Sequence, residues 1–284
     1  MIPATKYHGT GNDFLVVEAS AQVPDRRAFG RAVCDRETGV SHPDYPTGAD
    51  GVLFLELDAE AAPVRVGMHL VQPDGSVAAM CGNGARCVAA WAAERTGADE
   101  ILVDTDAGTR RARVGPDSIS IEMGAPTFEP AEVPVDADEP LIETEVEGLT
   151  VTAVNTGVPH AVAFVEDVAA VDLEAVAPPV RHAEVFPEGA TFNVAAPNYG
   201  GFDQRTFERG VEGETRSCGT GAVAIAAVAQ RLGRTDASGG VPVRPPGGEL
   251  TVTLRADGEA VLEGPVAVEY ETEIDPADPV GAKR

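Results

Sequence analysis

The chain has 284 residues, of which 43% are hydrophobic and 24% are charged, and both values are typical of globular proteins. The length suits two domains better than one, and the net charge of −25 argues against binding to nucleic acid or to an anionic membrane. No apolar run approaches the ~20 residues that cross a bilayer, and the first residues lack the basic and apolar regions of a signal peptide. We therefore expect a cytoplasmic protein.

The predicted elements are many short strands and a few helices. In chain order they are helix 25–36, strand 63–71, helix 84–95, strands 101–105, 118–122 and 149–154, helices 172–176 and 221–232, and strands 250–254 and 266–270. Strand 63–71 is typical, because Val64, Val66, Met68 and Leu70 alternate onto one face. Each half thus combines short strands with one apolar helix, which indicates an α+β fold. The strongest candidate for a domain boundary is Gly115-Pro116.

An internal repeat is the most informative feature of the sequence. Residues 81–93 read CGNGARCVAAWAA and residues 218–230 read CGTGAVAIAAVAQ, so both open with Cys-Gly-x-Gly-Ala and continue into an alanine-rich run. A shorter echo precedes each copy in the same order, at Thr10-Gly11 and at Thr156-Gly157. The pattern indicates two copies of one fold unit.

The repeated motif places a cysteine at the start of each predicted helix. The free N–H groups and the dipole at a helix N-terminus favour an anion, and they lower a thiol pKa from its usual value of about 8.5. Cys81 and Cys218 thus have a route to thiolate character, and the pairs Gly82-Asn83 and Gly219-Thr220 offer a cradle for a carboxylate. If both cysteines flank one α-carbon, one can remove its proton while the other delivers a proton to the opposite face. This arrangement predicts stereoinversion by two bases.

The composition offers no obvious cofactor for this chemistry. Lys6 and Lys283 are the only lysines, and neither is well placed for the Schiff base of pyridoxal phosphate. The cysteine and histidine spacings do not predict a zinc site, and we read Cys34 and Cys87 as core residues. The acidic, lysine-poor surface favours a protein that works in high salt, although an ordinary acidic protein is the alternative.

Four segments resemble the diaminopimelate epimerase family, in the order that the family has them. They read KYHGTGNDF (6–14), DGSVAAMCGNGARC (74–87), ERG (208–210) and GETRSCGTGA (213–222). The resemblance implies a cofactor-independent isomerase that interconverts LL- and meso-diaminopimelate in lysine biosynthesis. It implies two pseudo-symmetric lobes, each a curved, mostly antiparallel sheet around a central helix, with the active site in the cleft between them.

The resemblance also implies the lobe boundaries and a role for each site residue. The first lobe would hold 1–116 plus about 262–275, the second 117–261, and 276–284 would be a frayed tail. Cys81 and Cys218 would be the catalytic acid–base pair, and His160 and Glu208 would tune their pKa values. Substrate would be bound by Asn12, Gln72, Gly82, Asn83, Glu208, Arg209, Gly219 and Thr220.

Some of the assignments that the resemblance implies have a simpler interpretation. Tyr270 resembles the tyrosine at the family's dimer contact, which implies a homodimer, but a half-buried strand tyrosine is the simpler interpretation. By composition alone, Glu208-Arg209 could be a solvated surface pair and His160 a hydrogen-bonded turn histidine.

Three departures from the family concern the distal end of the substrate. Gln72, Val158 and Thr191 stand where the family commonly has asparagine, and Asn193 lies on the same strand face as Thr191 and could partly compensate. A proline or hydroxyproline racemase with the same two-cysteine design is therefore the nearest alternative. A thiol–disulfide switch is a weaker alternative. An inactive or isomerase relative with the same fold is also weaker, because such relatives lack the cysteine pair.

Overall fold

The computed structural model describes residues 1–236 and 239–276. The chain folds into two compact units, the first from Met1–Ile121 with the chain from Pro265 onward, and the second from Glu122–Gly264. The division lies after Ile121 rather than at Gly115-Pro116, because Gly115 starts the turn of a hairpin whose second strand pairs back onto the first. The expected tail, 276–284, lies outside the described residues except for Pro276.

Four α-helices and eighteen strands make up the described residues. The helices are α1 Arg26–Cys34, α2 Gly82–Thr96, α3 Leu173–Arg181 and α4 Gly219–Arg231. The strands of the first unit are β1 Ile2–Gly9, β2 Asn12–Glu18, β3 Gly51–Asp58, β4 Val64–Val71, β5 Val77–Ala78, β6 Glu100–Thr105, β7 Gly108–Val114 and, later in the chain, β18 Val266–Ile274. Strand β8, Ile119–Gly124, begins in the first unit and continues past its boundary at Ile121. The strands of the second unit are β9 Thr144–Val146, β10 Leu149–Asn155, β11 Pro159–Phe164, β12 Thr191–Asn198, β13 Gly201–Glu208, β14 Gly213–Thr215, β15 Val241–Arg244, β16 Leu250–Leu254 and β17 Ala260–Gly264.

The sheet of the first unit has the order β18-β1-β2-β3-β4-β6-β7-β8. Its pairs are antiparallel except β2 with β3 and β4 with β6, which are parallel. The short β5 pairs with β4 just before α2 begins. Since β18 pairs with β1 along its whole length, the end of the chain completes the sheet that its beginning starts.

The sheet of the second unit repeats this topology. Its order is β9-β10-β11-β12-β13-β15-β16-β17, with parallel pairs only at β11 with β12 and β13 with β15. The short β14 pairs with β13 just before α4, as β5 pairs with β4 before α2. The predicted α+β fold with two repeated lobes is confirmed, and the sequence repeat corresponds to a repeat of topology.

One helix lies at the centre of each unit. Helix α2 packs against β1, β2, β3, β4, β6, β7 and β18, and α4 packs against β10, β11, β12, β13, β15, β16 and β17. A single helix can touch so many strands only if the sheet curves around it. Nearly every residue of α4 is buried, which explains its continuous apolar run. None of the helices in residues 1–236 and 239–276 combines the length and the apolar character that crossing a membrane requires.

Helices α1 and α3 pack in separate cores. Helix α1 contributes Phe29 and Val33 to a core that also contains Leu15 and Val17 of β2. Helix α3 contributes Leu173, Ala177 and Val180 to a core in the second unit. The two central helices are thereby left to position the candidate site residues.

Candidate active site

Cys81 is the N-cap of α2, where it has extended backbone geometry. Its sulfur accepts a hydrogen bond from the backbone N–H of Gly84 at 3.4 Å, and it lies 3.8 Å from Oδ1 of Asn12. The helix therefore begins at Gly82, two residues before the predicted start, because the thiol itself supplies the cap. The Cys81 side chain is partly exposed, so a substrate can reach it.

Asn12 is brought to Cys81 by a tight turn between β1 and β2. Thr10 and Gly11, at the centre of the turn, both have positive φ, as the two-residue hairpin turn requires. Oδ1 of Asn12 accepts from Nδ2 of Asn83 at 3.3 Å, and Nδ2 of Asn12 donates to Oδ2 of Asp50 at 2.5 Å. Three predicted site residues, Asn12, Cys81 and Asn83, are thus neighbours, and Asp50 fixes which way the Asn12 amide points.

Asp50 belongs to a partly buried network of charges that the sequence did not reveal. Arg36 donates to both Asp50 and Asp13, and Lys6 pairs with Asp13 at 2.7 Å. Burial opposes the ionisation of Asp13, but Arg36 and Lys6 outweigh it and hold its pKa below the usual value. Burial and the charge of Asp13 raise the pKa of Asp50. Asp50 gave no signal in the sequence, because its partners lie far away along the chain.

Cys218 caps α4 in the same way as Cys81 caps α2. Its sulfur accepts from the N–H of Gly221 at 3.4 Å, and it lies 3.4 Å from Oγ1 of Thr220. The carbonyl of Cys218 accepts from Nε2 of Gln204 at 3.1 Å. Cys218 is more buried than Cys81, with 5% of its surface exposed. The two copies of the motif therefore give the same helix cap in each unit.

Several buried polar side chains form a hydrogen-bond network next to Cys218. Nε2 of Gln204 donates to Oγ1 of Thr206, which donates to Oδ1 of Asn193. Nδ2 of Asn193 lies 3.0 Å from Nδ1 of His160. His160 is in β11 and not in a turn, and it is fully buried. The amide of Asn193, which the sequence suggested as a partial substitute for Thr191, makes its hydrogen bonds within this network.

His160 is neutral in these surroundings. Burial, together with the positive charge of Arg209, lowers its pKa to about 3. Since Asn193 donates to Nδ1, the remaining proton is on Nε2, which has no hydrogen-bond partner among the residues described. The sequence contained no clear signal for Gln204 and Thr206, because they lie among the charged residues Asp203, Arg205 and Glu208 of the same strand.

Glu208 and Arg209 lie at the end of β13. Glu208 accepts from Oγ1 of Thr215 at 2.5 Å, and Arg209 donates to the carbonyl of Glu188 at 3.1 Å. The backbone N–H of Arg209 donates to Oγ1 of Thr191 at 3.3 Å, which connects the pair with a position where the sequence departs from the family. The pair is held by the protein and is not a solvated surface pair.

A second arginine lies close to Arg209. Burial and the charge of Arg181 lower the pKa of Arg209, and Arg181 is itself paired with Glu212 at 2.8 Å. Arg181 is almost completely buried, with 8% of its surface exposed. The charges of Glu188 and Glu212 also act on Arg209, so the two guanidinium groups lie among carboxylates of the protein. The planar fork of an arginine at this position suits a carboxylate ligand.

Gln72 and Tyr270 have surroundings different from those the sequence suggested. Gln72 lies in the turn after β4, where its Oε1 accepts from Oγ of Ser76 at 3.1 Å. Tyr270 is buried rather than half-buried, with 8% of its surface exposed, and its ring stacks on His42 at 4.7 Å. Val158 is partly buried in the loop before β11.

The other two cysteines are core residues, as expected. Cys34 in α1 and Cys87 in α2 are at most 1% exposed, and burial raises the pKa of both thiols. The four cysteines, all in the part of the chain that the structure describes, form no disulfide. In the same described residues, no group of three or more His, Cys, Asp or Glu side chains is placed to hold a metal ion.

Known structures share the fold at low sequence identity. A hydroxyproline epimerase from Agrobacterium vitis with bound trans-4-hydroxy-L-proline superposes with a TM-score of 0.67 at 20% identity, covering 98% of this chain and 93% of that one. A methylitaconate-delta-isomerase gives a TM-score of 0.57 at 12% identity, covering 99% of this chain and 97% of that one. These likenesses concern the fold alone.

Sequence relatives are much closer. A diaminopimelate epimerase from Methanocella arvoryzae is 43% identical over 96% of this chain and 97% of its own length. Similar proteins of the same name from Archaeoglobus fulgidus and Nostoc are 41% and 37% identical, over 90% and 93% of this chain and 90% and 96% of their own lengths. The family model for diaminopimelate epimerase matches residues 4–129 and 152–269, which include both cysteine caps. The chain therefore belongs to the diaminopimelate epimerase family.

Proposed function

We propose that the protein interconverts LL- and meso-diaminopimelate in lysine biosynthesis, with Cys81 and Cys218 as its acid–base pair. One observation carries the proposal. Each cysteine caps the central helix of its unit and accepts an N–H hydrogen bond at the same 3.4 Å distance, in a chain of this family. The duplicated cap supplies two equivalent sulfurs, which is what inversion of a stereocentre by two bases requires.

The helix termini account for the binding of the reacting end of the substrate. Gly82 and Gly219 are the first residues of the two central helices, so the N–H groups of the first turns are available to an α-carboxylate. Negative charge that develops on this carboxylate when the α-proton leaves is stabilised by the same oriented N–H groups. One cysteine removes the proton as thiolate, and the other delivers a proton as thiol.

The distal end of the substrate is assigned to Glu208 and Arg209. Arg209 offers a planar fork to the distal carboxylate, and Glu208 offers an acceptor to the distal amino group. The guanidinium group of Arg209 favours a substrate with a second carboxylate, as diaminopimelate has, over proline or hydroxyproline. His160 supplies a neutral N–H donor in the network around Cys218, which supports its assignment as a residue that tunes that thiol.

Incubation with LL-diaminopimelate in heavy water tests the mechanism. With a reductant present, we expect conversion to the meso form and deuterium at one α-carbon. Cys81→Ala and Cys218→Ala should each lower turnover by at least about a hundredfold, because each removes one acid–base group. Near-native turnover in either variant would contradict the two-base mechanism.

Cys87→Ala provides a matched control. Cys87 lies in the same helix as Cys81 but is fully buried, so its removal should leave turnover close to the wild-type value. Proline and trans-4-hydroxyproline should not be inverted. Inversion of either of them without activity on diaminopimelate would replace the proposed substrate by the alternative one.

Several further properties belong to the same proposal. We expect activity without pyridoxal phosphate, so its addition should leave the rate unchanged.

We also expect a cytoplasmic location, tolerance of high salt and a homodimer with Tyr270 near the contact. Sedimentation at several protein concentrations would reveal the dimer, and a single monomeric species would contradict it.

A further inference from the structure

Arg86 is a fully buried cation that the mechanism above does not use. It lies in α2, one turn from Cys81, and none of its surface is exposed. Its guanidinium group donates only to neutral acceptors in the described residues, namely Oδ1 of Asn83 at 2.5 Å, Oγ1 of Thr10 at 3.1 Å and the carbonyl of Pro265 at 2.8 Å. Its Nε has no hydrogen-bond partner among them.

No carboxylate in residues 1–236 and 239–276 pairs with Arg86. Burial lowers the pKa of Arg86 to about 10, so the group still carries its charge at neutral pH. A buried charge without a counter-charge is costly, and proteins normally pair such a group. The charge of Arg86 would therefore be stabilised by a nearby anion, and no carboxylate among the described residues provides one.

The thiol of Cys81 is a group that can become this anion. A thiolate at Cys81 would attract the positive charge of Arg86. The amide side chains of Asn83 and Asn12 connect the two residues. Arg86 donates to Oδ1 of Asn83, and Nδ2 of Asn83 donates to the same Oδ1 of Asn12 that lies 3.8 Å from the Cys81 sulfur. Arg86 thereby fixes the orientation of the Asn83 amide next to the reacting sulfur.

The second copy of the motif lacks this charge. Arg86 is the fifth residue after Cys81, and the fifth residue after Cys218 is Val223. The polar side chains that hydrogen bonds connect to Cys218 include Thr220, Gln204, Thr206 and Asn193, and the charge of Arg209 acts on the same network at His160. The two helix caps are therefore alike in geometry and differ at the position five residues after the cysteine, which is charged in α2 and apolar in α4.

We propose that Arg86 is a positioning residue that orients Asn83 and supplies a fixed positive charge, so that in the free enzyme the thiolate forms at Cys81 in preference to Cys218. This inference rests on the proposed function. It assigns the resting protonation states of the pair, with Cys81 ready to act as base and Cys218 ready to act as acid. It also makes Arg86 a partner of the anionic transition state in the first unit.

Other groups around α2 act on Cys81 more weakly or in compensating pairs. The long contact to Oδ1 of Asn12 favours the thiol, but a sulfur hydrogen bond at 3.8 Å is weak beside a full buried charge. Cys87 of the same helix is un-ionised, since burial raises its pKa. Five charged groups near Asn12 are held in one network of ion pairs, namely Lys6, Asp13, Arg36, Asp50 and Glu269. On strands β4, β6 and β7, which also pack against α2, Arg65 pairs with Asp104, and Arg111 and Arg113 pair with Glu100.

Thiol alkylation tests the inference without any substrate. Cys218→Ser and Cys81→Ser each leave one candidate thiol, since Cys34 and Cys87 are at most 1% exposed. Rates of modification by iodoacetamide, followed by mass spectrometry across a range of pH, give the pKa of each remaining thiol. We expect the pKa of Cys81 to be the lower one. Equal values or the reverse order would overturn the inference.

Substitution of Arg86 tests its part directly. In the Cys218→Ser background, Arg86→Met should raise the pKa of Cys81, measured from the pH dependence of its alkylation rate, by about one unit or more. Arg86→Lys should restore much of the value found with Arg86. Arg95→Met removes an exposed cation from the same helix and should leave the pKa of Cys81 unchanged. An unchanged pKa of Cys81 in Arg86→Met would refute the role of Arg86. If that variant does not fold, the comparison of the pKa values of Cys81 and Cys218 still tests the inference.

The outcome is separable from that of the proposed function. Alkylation reports the thiolates whether or not the protein epimerises diaminopimelate. Lack of turnover with Cys81 as the more acidic thiol would contradict only the proposed function. Turnover with Cys218 as the more acidic thiol would contradict only the inference about Arg86.

Discussion

At the scale of one residue, His160 shows how burial determines the protonation state of a side chain. Burial is the main cause that lowers its pKa, and the positive charge of Arg209 opposes protonation as well. Its folded pKa of about 3 lies below the value of 6.5 that an exposed histidine has. The unfolded chain therefore binds one more proton than the native protein between these two values.

A pH dependence of stability follows from this difference. The contribution of neutral His160 is fully present above pH 6.5 and is lost as the pH falls toward 3. Wild type should lose up to about 1.4 kcal/mol of unfolding free energy per pH unit more than His160→Asn, which keeps an acceptor for Asn193. Denaturant unfolding at several pH values measures the two slopes. His182→Asn is the control, because that side chain is 62% exposed, and equal slopes for wild type and His160→Asn would contradict the expectation.

The sequence could predict individual site residues only where a motif surrounds them. The repeat and the resemblance led to Cys81, Cys218, Asn12 and Asn83, and the structure brings the three of them that belong to the first unit together. The residues that hold Asn12 and Asn83 could not be found in this way. Asp50 acts across a separation of 38 residues, and Arg86 differs from its counterpart Val223, so the repeat hides it.

At the scale of one element, the two glycines that follow the caps differ in how closely they are packed. A Cβ on Gly221 of α4 would lie 2.3 Å from Oδ1 of Asn193 and 2.8 Å from Nε2 of Gln204. A Cβ on Gly84 of α2 would make only ordinary contacts, at 3.5 Å or more. The second helix thus lies directly against its amide network, and the first does not.

Alanine substitutions should separate these two glycines. Gly221→Ala should destabilise the protein by about 1–3 kcal/mol, because the locked amides of Asn193 and Gln204 must shift. Gly84→Ala should be neutral or stabilising by up to about 1 kcal/mol, because alanine favours a helix. Thermal unfolding of both variants measures the difference, and equal melting temperatures would show that the packing argument is wrong.

Element boundaries could be predicted only approximately, and the reasons are physical. The predicted helix 172–176 ends before Pro178 and Pro179, which normally stop a helix. Helix α3 nevertheless continues to Arg181, because Ala177 and Val180 are fully buried in the core of the second unit. Strands β3 and β12 lack polar alternation because most of their residues are buried on both faces, so the period-2 pattern could not reveal them.

At the scale of the whole molecule, β18 joins the two ends of the chain in one sheet. It pairs with β1 from Ile2 with Ile274 to Gly9 with Val266, and Ile274 is 3% exposed in the core of the first unit. The register of the pair shifts between Lys6 and Tyr7, and Val268 beyond this shift is 44% exposed. Burial therefore differs strongly between residues of the same strand.

Truncation of one buried and one exposed side chain of β18 tests how burial determines the contribution of this strand to stability. Ile274→Ala should lower the unfolding free energy by about 2–5 kcal/mol, because it leaves a cavity in the core. Val268→Ala, on the same strand, should change it by no more than about 0.5 kcal/mol. Urea unfolding measures both values. A similar loss for the two variants would mean that burial in this strand does not determine its contribution.

The net charge of −25 predicts a dependence of stability on salt. Acidic side chains that repel one another destabilise the compact state, and this repulsion is screened as the Debye length falls from about 30 Å at 0.01 M salt to about 3 Å at 1 M. The melting temperature should rise with KCl over this range. Uncharged sucrose at matched osmolality should not reproduce the low-salt part of the increase, and a flat or falling curve in KCl would contradict adaptation to high salt.

The fold as a whole was more predictable than its parts. Two similar motifs in the same order predicted two copies of one unit, and the strand orders of the two units are the same through both parallel pairs. The exact boundary could not be predicted, because the Gly115-Pro116 segment that resembles a linker is the turn of the β7–β8 hairpin. Local composition indicates a turn, and only the pairing of the strands decides to which unit the turn belongs.

The pairing of β18 with β1 has a consequence for the order in which the protein matures. During synthesis, all strands of the second unit emerge as one contiguous stretch, Glu122–Gly264, whereas the sheet of the first unit waits for Val266–Ile274. The unit whose synthesis starts first is therefore completed after the second one, and the nascent chain carries an unpaired sheet edge at β1 until Val266–Ile274 has emerged.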